Sequence, residues 1–150
     1  MTKQLNKKGT SLVELIAVIV IMGIIAGIAI PTTIAVINRQ KKNSALKSAE
    51  NVFAAAKNVL LEASANGTGQ FGTNVTQTPA TGTATAYSVT SAQLKAIGEL
   101  EADPVETGTT LTITYTISTN KFTCSTETFT INGININWTE ANGFAIATTN

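Results

Sequence analysis

The sequence predicts an α+β chain. One long N-terminal helix, membrane-inserting in its first half and amphipathic in its second, packs on a small antiparallel sheet of about four strands. Three observations predict this. Leu15 to Ile37 is a run of 23 residues without a charged side chain. Asn43 to Ala65 places Leu46, Ala49, Phe53, Ala56, Leu60 and Ala63 at alternating spacings of three and four, which is one face of a helix. From Leu111 on, apolar residues alternate with Thr, the period-two pattern of a strand with one face buried. Threonine usage agrees: 22 of the 26 Thr lie from Thr68 onward, where a β-favouring polar residue suits the outer face of a sheet.

Composition also narrows the function classes. The 150 residues fit one ordinary domain. Only 13% of them are charged, about half the usual share for a soluble domain. The absence of His removes the commonest general base and the commonest transition-metal ligand. A single Cys excludes an intramolecular disulfide and any multi-Cys zinc or iron–sulfur site. Hydroxyls are plentiful, but no catalytic constellation forms around Lys57, Lys95 or Lys121. The expectation is a structural or interaction protein: no enzyme, no cofactor, no metal.

Taken in order, residues 1–9 are a basic leader carrying Lys3, Lys7 and Lys8. Residues 10–38 hold the apolar run, LIAVIVIMGIIAGIAIPTTIAVI. As a helix it spans about 35 Å, enough for a hydrocarbon core of about 30 Å. It is too long for a secretory signal's apolar region, has no small-x-small cleavage site, and is followed at once by Arg39, Lys41 and Lys42. A retained signal anchor fits better. Three leader lysines on one side face Arg39, Lys41, Lys42 and Lys47 on the other, so charge does not fix its orientation. Gly23 and Gly27 have GxxxG spacing, which serves a close helix–helix contact or simply reflects membrane-helix composition. Together with Pro31 they mark a stretch of weakened helix.

Residues 39–65 continue the helix in amphipathic form, and Asn66-Gly67 supplies its stop. Residues 66–150 form the globular domain. A Gly/Thr/Asn-rich variable loop runs from Asn66 to about Ala86. Tyr87–Val89 reads as a short strand, and Ser91 as the cap of a short helix over Ala92–Ile97, closed near Gly98. Glu99–Pro104 is an acidic turn. Leu111 to Ser118 is a strand, Thr119-Asn120 a turn, and Phe122 with Cys124 the next apolar face, where Cys124 is a buried free thiol. Phe129 and Ile131 lead into Asn132-Gly133, a type I′ hairpin turn. Ile134, Ile136 and Trp138 form the return strand, with Phe144 and Ile146 as a last strand or a tail. The cluster Glu99, Glu101, Asp103 and Glu106 offers oxygen ligands for calcium, but without EF-hand spacing it reads as a solvated loop.

Residues 7–15, KKGTSLVEL, join a basic pair, a Gly and a single Glu in the first turn of an apolar helix. This run resembles the class III signal of type IV prepilins and pseudopilins, and Pro31 also matches that family. The resemblance is specific over residues 7–31, extends along the helix to about Ala65, and beyond that concerns architecture. It implies a pilin-like fold and cleavage after Gly9 by a membrane prepilin peptidase that also methylates the new N-terminus, Thr10. Thr10 departs from the Phe usual at that position, which bears on the methylation. The resemblance further implies that Glu14 pairs with the N-terminal amine of a neighbouring subunit. It implies that the helix between Gly23, Gly27 and Pro31 unwinds when subunits pack into a fibre. The partners so implied are other copies in a helical filament, the peptidase/methyltransferase, the assembly platform, and the cytoplasmic membrane before assembly.

The function so implied is that of a structural subunit of a surface filament serving adhesion, motility or attachment. The alternatives are a pseudopilin of a secretion or DNA-uptake system, and a signal-anchored surface binding domain that never polymerises. From Asn66 on, two Lys stand against five Glu and one Asp, a net −4 that disfavours direct nucleic-acid binding. Arg39 to Glu62 carries net +3. Removing the three leader lysines leaves seven basic against nine acidic residues, a net −2.

Overall fold

Ala, Leu, Lys and Glu recur from Arg39 to the Asn66-Gly67 stop, β-branched residues dominate before Arg39, and the backbone is helical throughout: α1 spans Leu12–Asn66. The computed structural model describes residues 11–79, 83–125 and 128–147. The expected leader, with Gly9 and Thr10, lies outside the described residues. The chain divides into two compact units, residues 1–39 and 40–150.

In the first unit every described side chain from Ser11 to Arg39 is exposed, Pro31 not being among them. Gly23, Gly27 and Pro31 sit within unbroken α-helix. Each glycine costs about 1 kcal/mol of propensity and Pro31 removes one backbone donor, yet the helix continues across all three. Next to Pro31, Thr32 Oγ1 donates to the Ala29 carbonyl at 2.9 Å and Thr33 Oγ1 to the same carbonyl at 2.8 Å. Both hydroxyls are thereby satisfied by their own helix.

In the second unit the rest of α1 lays a stripe of mostly small residues on the core. Ala45, Ala49, Val52, Ala56, Val59, Leu60 and Ala63 are buried, while Leu46 and Phe53 are half-buried. Gly67, at φ 80°, ends the helix and its N–H donates to the Ala63 carbonyl at 2.8 Å, the left-handed cap that only glycine adopts without strain.

The long helix on antiparallel sheet is the expected α+β layout; among the described residues seven strands form two sheets, of four and three, where one meander of about four was expected. The first sheet has the order β1 (Thr76–Thr78), β2 (Ala86–Thr90), β3 (Thr112–Thr116), β4 (Lys121–Cys124), all antiparallel. The second is β5 (Phe129–Ile131), β6 (Ile134–Thr139), β7 (Gly143–Ile146), also antiparallel. β4 and β5 are successive but pair with different partners, which splits the expected meander. The variable loop contributes β1 and a 3-10 turn at Gly72–Asn74. The short helix α2 is Ser91–Ala96, with Thr90 as its cap rather than Ser91. Thr90 Oγ1 accepts from the Gln93 N–H at 3.2 Å, and Gln93 Oε1 accepts from the Thr90 N–H at 2.8 Å, a complete capping box.

Alternation places Tyr87, Val89, Ile113 and Tyr115 of the first sheet, and Phe129, Ile131 and Ile136 of the second, on the buried side with Leu94 and Leu111. Phe53 of α1 meets both sheets edge-on, at 6.2 Å from Phe122 and 5.9 Å from Phe144. Asn132 (φ 53°) and Gly133 (φ 73°) form the expected hairpin turn between β5 and β6, both residues left-handed as type I′ demands. Phe129 is fully buried and packs on Phe144 at 6.0 Å. Phe129→Ala is therefore expected to destabilise the full chain in micelles by about 3–5 kcal/mol. Exposed Ile117→Ala should stay within about 0.5 kcal/mol. A urea titration followed by Trp138 fluorescence measures both.

Candidate functional site

The helix of the first unit is the strongest candidate. Its large apolar side chains from Leu12 to Ile37 are between 47% and 73% exposed, and its most apolar window buries nothing within the chain. It is long and apolar enough to cross a membrane. Gly23 and Gly27 face open space: a Cβ built on either meets no atom within 4 Å. Nothing in the described chain requires glycine there.

Glu14 is the one charge of this helix before Arg39. Its Oε2 accepts from the Ser11 N–H at 3.1 Å, while the Leu15 N–H donates to the Ser11 carbonyl at 3.1 Å. Ser11-Leu12-Val13-Glu14 has capping-box spacing, and Glu14 makes the arm that reaches back to the cap residue. A carboxylate here also meets the positive end of the helix dipole. Sequence reasoning found Glu14 through its motif but missed this local bond, although the Ser-x-x-Glu spacing signals it.

Two members of the acidic cluster are tied to nearby backbone, while Glu99 and Glu101 are exposed. Asp103 Oδ1 accepts from the Val105 N–H at 3.0 Å. The Glu106 carboxylate accepts from the Gly133 N–H in the β5–β6 turn. The same segment covers the outer edge of β5: the Glu106 N–H donates to the Thr130 carbonyl at 2.8 Å, and Thr109 Oγ1 accepts from the Thr130 N–H at 3.2 Å. Among the described residues no group of three or more His, Cys, Asp or Glu is placed to hold a metal ion.

Cys124 is buried on β4 opposite Ile113, and its thiol is free. Burial pushes its pKa up to about 12, so the nucleophilic thiolate is suppressed at neutral pH. Lys121 and Glu140 form an exposed ion pair, in which their mutual hydrogen bond raises the lysine's pKa and lowers the carboxyl's. A groove of about 240 Å³ lies between Ser48, Asn51 and Val52 of α1 and the loop at Leu100, Glu101 and Pro104. It brings together no catalytic pair. Lys57 sits 5.6 Å over the Phe122 ring, and Lys95 lies in the last turn of α2.

No family model, curated protein or solved structure matches the chain.

Two outcomes test these placements. Glu106→Ala leaves the turn N–H without its acceptor and is expected to cost about 1–2 kcal/mol in urea melts, with Glu106→Gln retaining most of the stability because its amide oxygen still accepts. Cys124 should resist iodoacetamide at pH 8 in the native chain and react once denaturant unfolds it. Its raised native pKa means that the unfolded chain releases this proton first. Stability is therefore unaffected by this group below the ordinary thiol value of 9.0 and falls as pH climbs from there towards about 12.

Proposed function

We propose that the chain is a structural subunit of a type IV pilus-like surface filament, held in the membrane as a precursor and assembled after cleavage following Gly9. The observation that carries this reading is the helix surface from Leu12 to Ile37, exposed on all sides and headed by a single carboxylate. Such a surface needs a cover. Lipid supplies it for the precursor, and the same helices of neighbouring subunits supply it in the fibre. A head-to-tail repeat of one such contact generates an open helical filament.

Within this reading Glu14 sets the register. Cleavage frees an amine at Thr10, one turn before Glu14. A carboxylate of one subunit and the amine of the next leave water together, and removing either strands the other at a cost of about 3–5 kcal/mol. The weakened helix at Gly23, Gly27 and Pro31 gives the subunit room to lengthen as it leaves the bilayer. Among the possible uses of the filament, adhesion, motility and attachment all need only this repeat and a polar outer domain.

Mass spectrometry of purified surface fibres is expected to find a mature N-terminus at Thr10. An uncut chain, or one trimmed elsewhere, contradicts the reading. Glu14→Ala should leave cleavage intact and abolish fibres; normal fibres from that variant would sink the assigned role of Glu14.

A further inference from the structure

We propose that Lys41 and Lys42 form a docking surface for anionic phospholipid headgroups. This rests on the membrane-held precursor described above and adds a partner for charges which that reading leaves unused. Both lysines are exposed, and no hydrogen bond or ion pair engages either one among the described residues, where the ion pair is Lys121–Glu140. Their helical neighbours three and four residues away are Ile37, Asn38, Arg39, Ser44, Ala45 and Leu46, none of them acidic. The nearest carboxylate further along α1 is Glu50.

Their place on the helix face is specific. Ala45, buried, is the first residue of the stripe that the second unit covers. Lys41 and Lys42 stand four and three residues before it, where the same stripe continues as two exposed ammonium groups. Among the described residues the protein's own cover stops at Ala45, and no carboxylate stands three or four residues from either lysine along the helix. In the sequence the two lysines follow Ile37, the last apolar residue of the long run, by four and five residues. At a rise of about 1.5 Å per residue that is about 6–8 Å of helix. The headgroup layer on each side of a bilayer is about 5–7 Å deep. Lysines at that height meet phosphate oxygens, and their alkyl stems lie against the acyl boundary. Each basic residue close to an anionic surface contributes roughly a fivefold gain in association at low salt. The consequence is a depth for the helix set by these two charges together with Arg39, the first charge after the apolar run.

The test uses the full chain reconstituted in vesicles of phosphatidylcholine and phosphatidylglycerol in equal amounts, with trace spin-labelled lipid of either headgroup. The ratio of protein-associated phosphatidylglycerol to phosphatidylcholine is the readout. The unaltered chain is expected to favour phosphatidylglycerol, and Lys41→Gln/Lys42→Gln to lower the ratio about fivefold or more, with Lys57→Gln/Lys95→Gln unchanged. Glutamine is a good helix former, and circular dichroism checks that the helix persists. A double variant that keeps the unaltered ratio overturns the proposal. So does carbodiimide cross-linking of Lys41 or Lys42 to Glu99 or Glu101 of a second copy without a headgroup preference, which assigns the surface to a protein partner. Release of the unaltered chain by alkaline carbonate overturns the membrane-held reading and this proposal together, whereas a retained chain with an unchanged ratio overturns this proposal alone.

Discussion

Sixteen large apolar side chains between Leu12 and Ile37 are exposed. Covering one of them fully contributes about 1.5–3 kcal/mol, so covering the set is worth on the order of tens of kcal/mol. A small domain's entire stability is about 5–15 kcal/mol. This one unmet demand therefore exceeds the net stability of such a domain, and it dictates much of the local design. In a cover without water, backbone groups must be satisfied within the segment, which leaves the helix as the only form for a single stretch of chain. Thr32 and Thr33 obey the same constraint, each returning its hydroxyl proton to the Ala29 carbonyl.

The second unit solves the opposite problem, a modest core under a polar surface. Small residues on α1 let the sheets approach the helix closely, and the large side chains come from the strands: Phe129, Ile131, Ile136 and Ile113 are all fully buried. Leu60, fully buried, and the half-buried Phe53 are the exceptions on the helix side, and Phe53 spans both sheets through its two edge-on ring contacts. Sheets leave edges, and an open edge invites another strand. The segment from Glu106 to Thr109 closes the outer edge of β5 by giving one donor and one acceptor to Thr130. Glu106 then ties that segment to the hairpin turn through Gly133.

What could be read from the sequence was what local chemistry decides. The long helix, its stop at Asn66-Gly67, the Asn132-Gly133 turn and the alternation through Ile134, Ile136 and Trp138 each depend on neighbours a few residues apart. The buried stripe of α1 was found in period but centred slightly off, because Ala45, Val52 and Val59 compete with Leu46 and Phe53 for the same arc and only the cover decides between them. Thr90 displaced Ser91 as the helix cap once Gln93 completed the box three residues on. The division into two sheets was not legible, since it depends on which strand β4 and β5 choose, and both carry the same alternating pattern. Nor was the role of Glu106, whose partner Gly133 lies 27 residues away. At the candidate site the motif singled out Glu14, while Gly9 and Thr10 fall outside the described residues.

The bond from Ser11 to Glu14 raises the question of whether a carboxylate that caps its own helix can also serve a neighbour. Its acceptor capacity decides this. An ionised carboxylate offers about four lone-pair sites on two oxygens, and the cap uses one of them through Oε2. A neighbour's ammonium can therefore approach without displacing the Ser11 N–H. The cap fixes the side chain at the N-terminal end of the helix and reduces the freedom lost when a partner arrives. Replacement by Gln separates the two roles, because an amide oxygen still accepts from Ser11 but carries no charge for an amine. In the proposed filament Glu14→Gln thus keeps the start of the helix intact and loses the contact between subunits, so the electrostatic demand and the local fold come apart at one side chain.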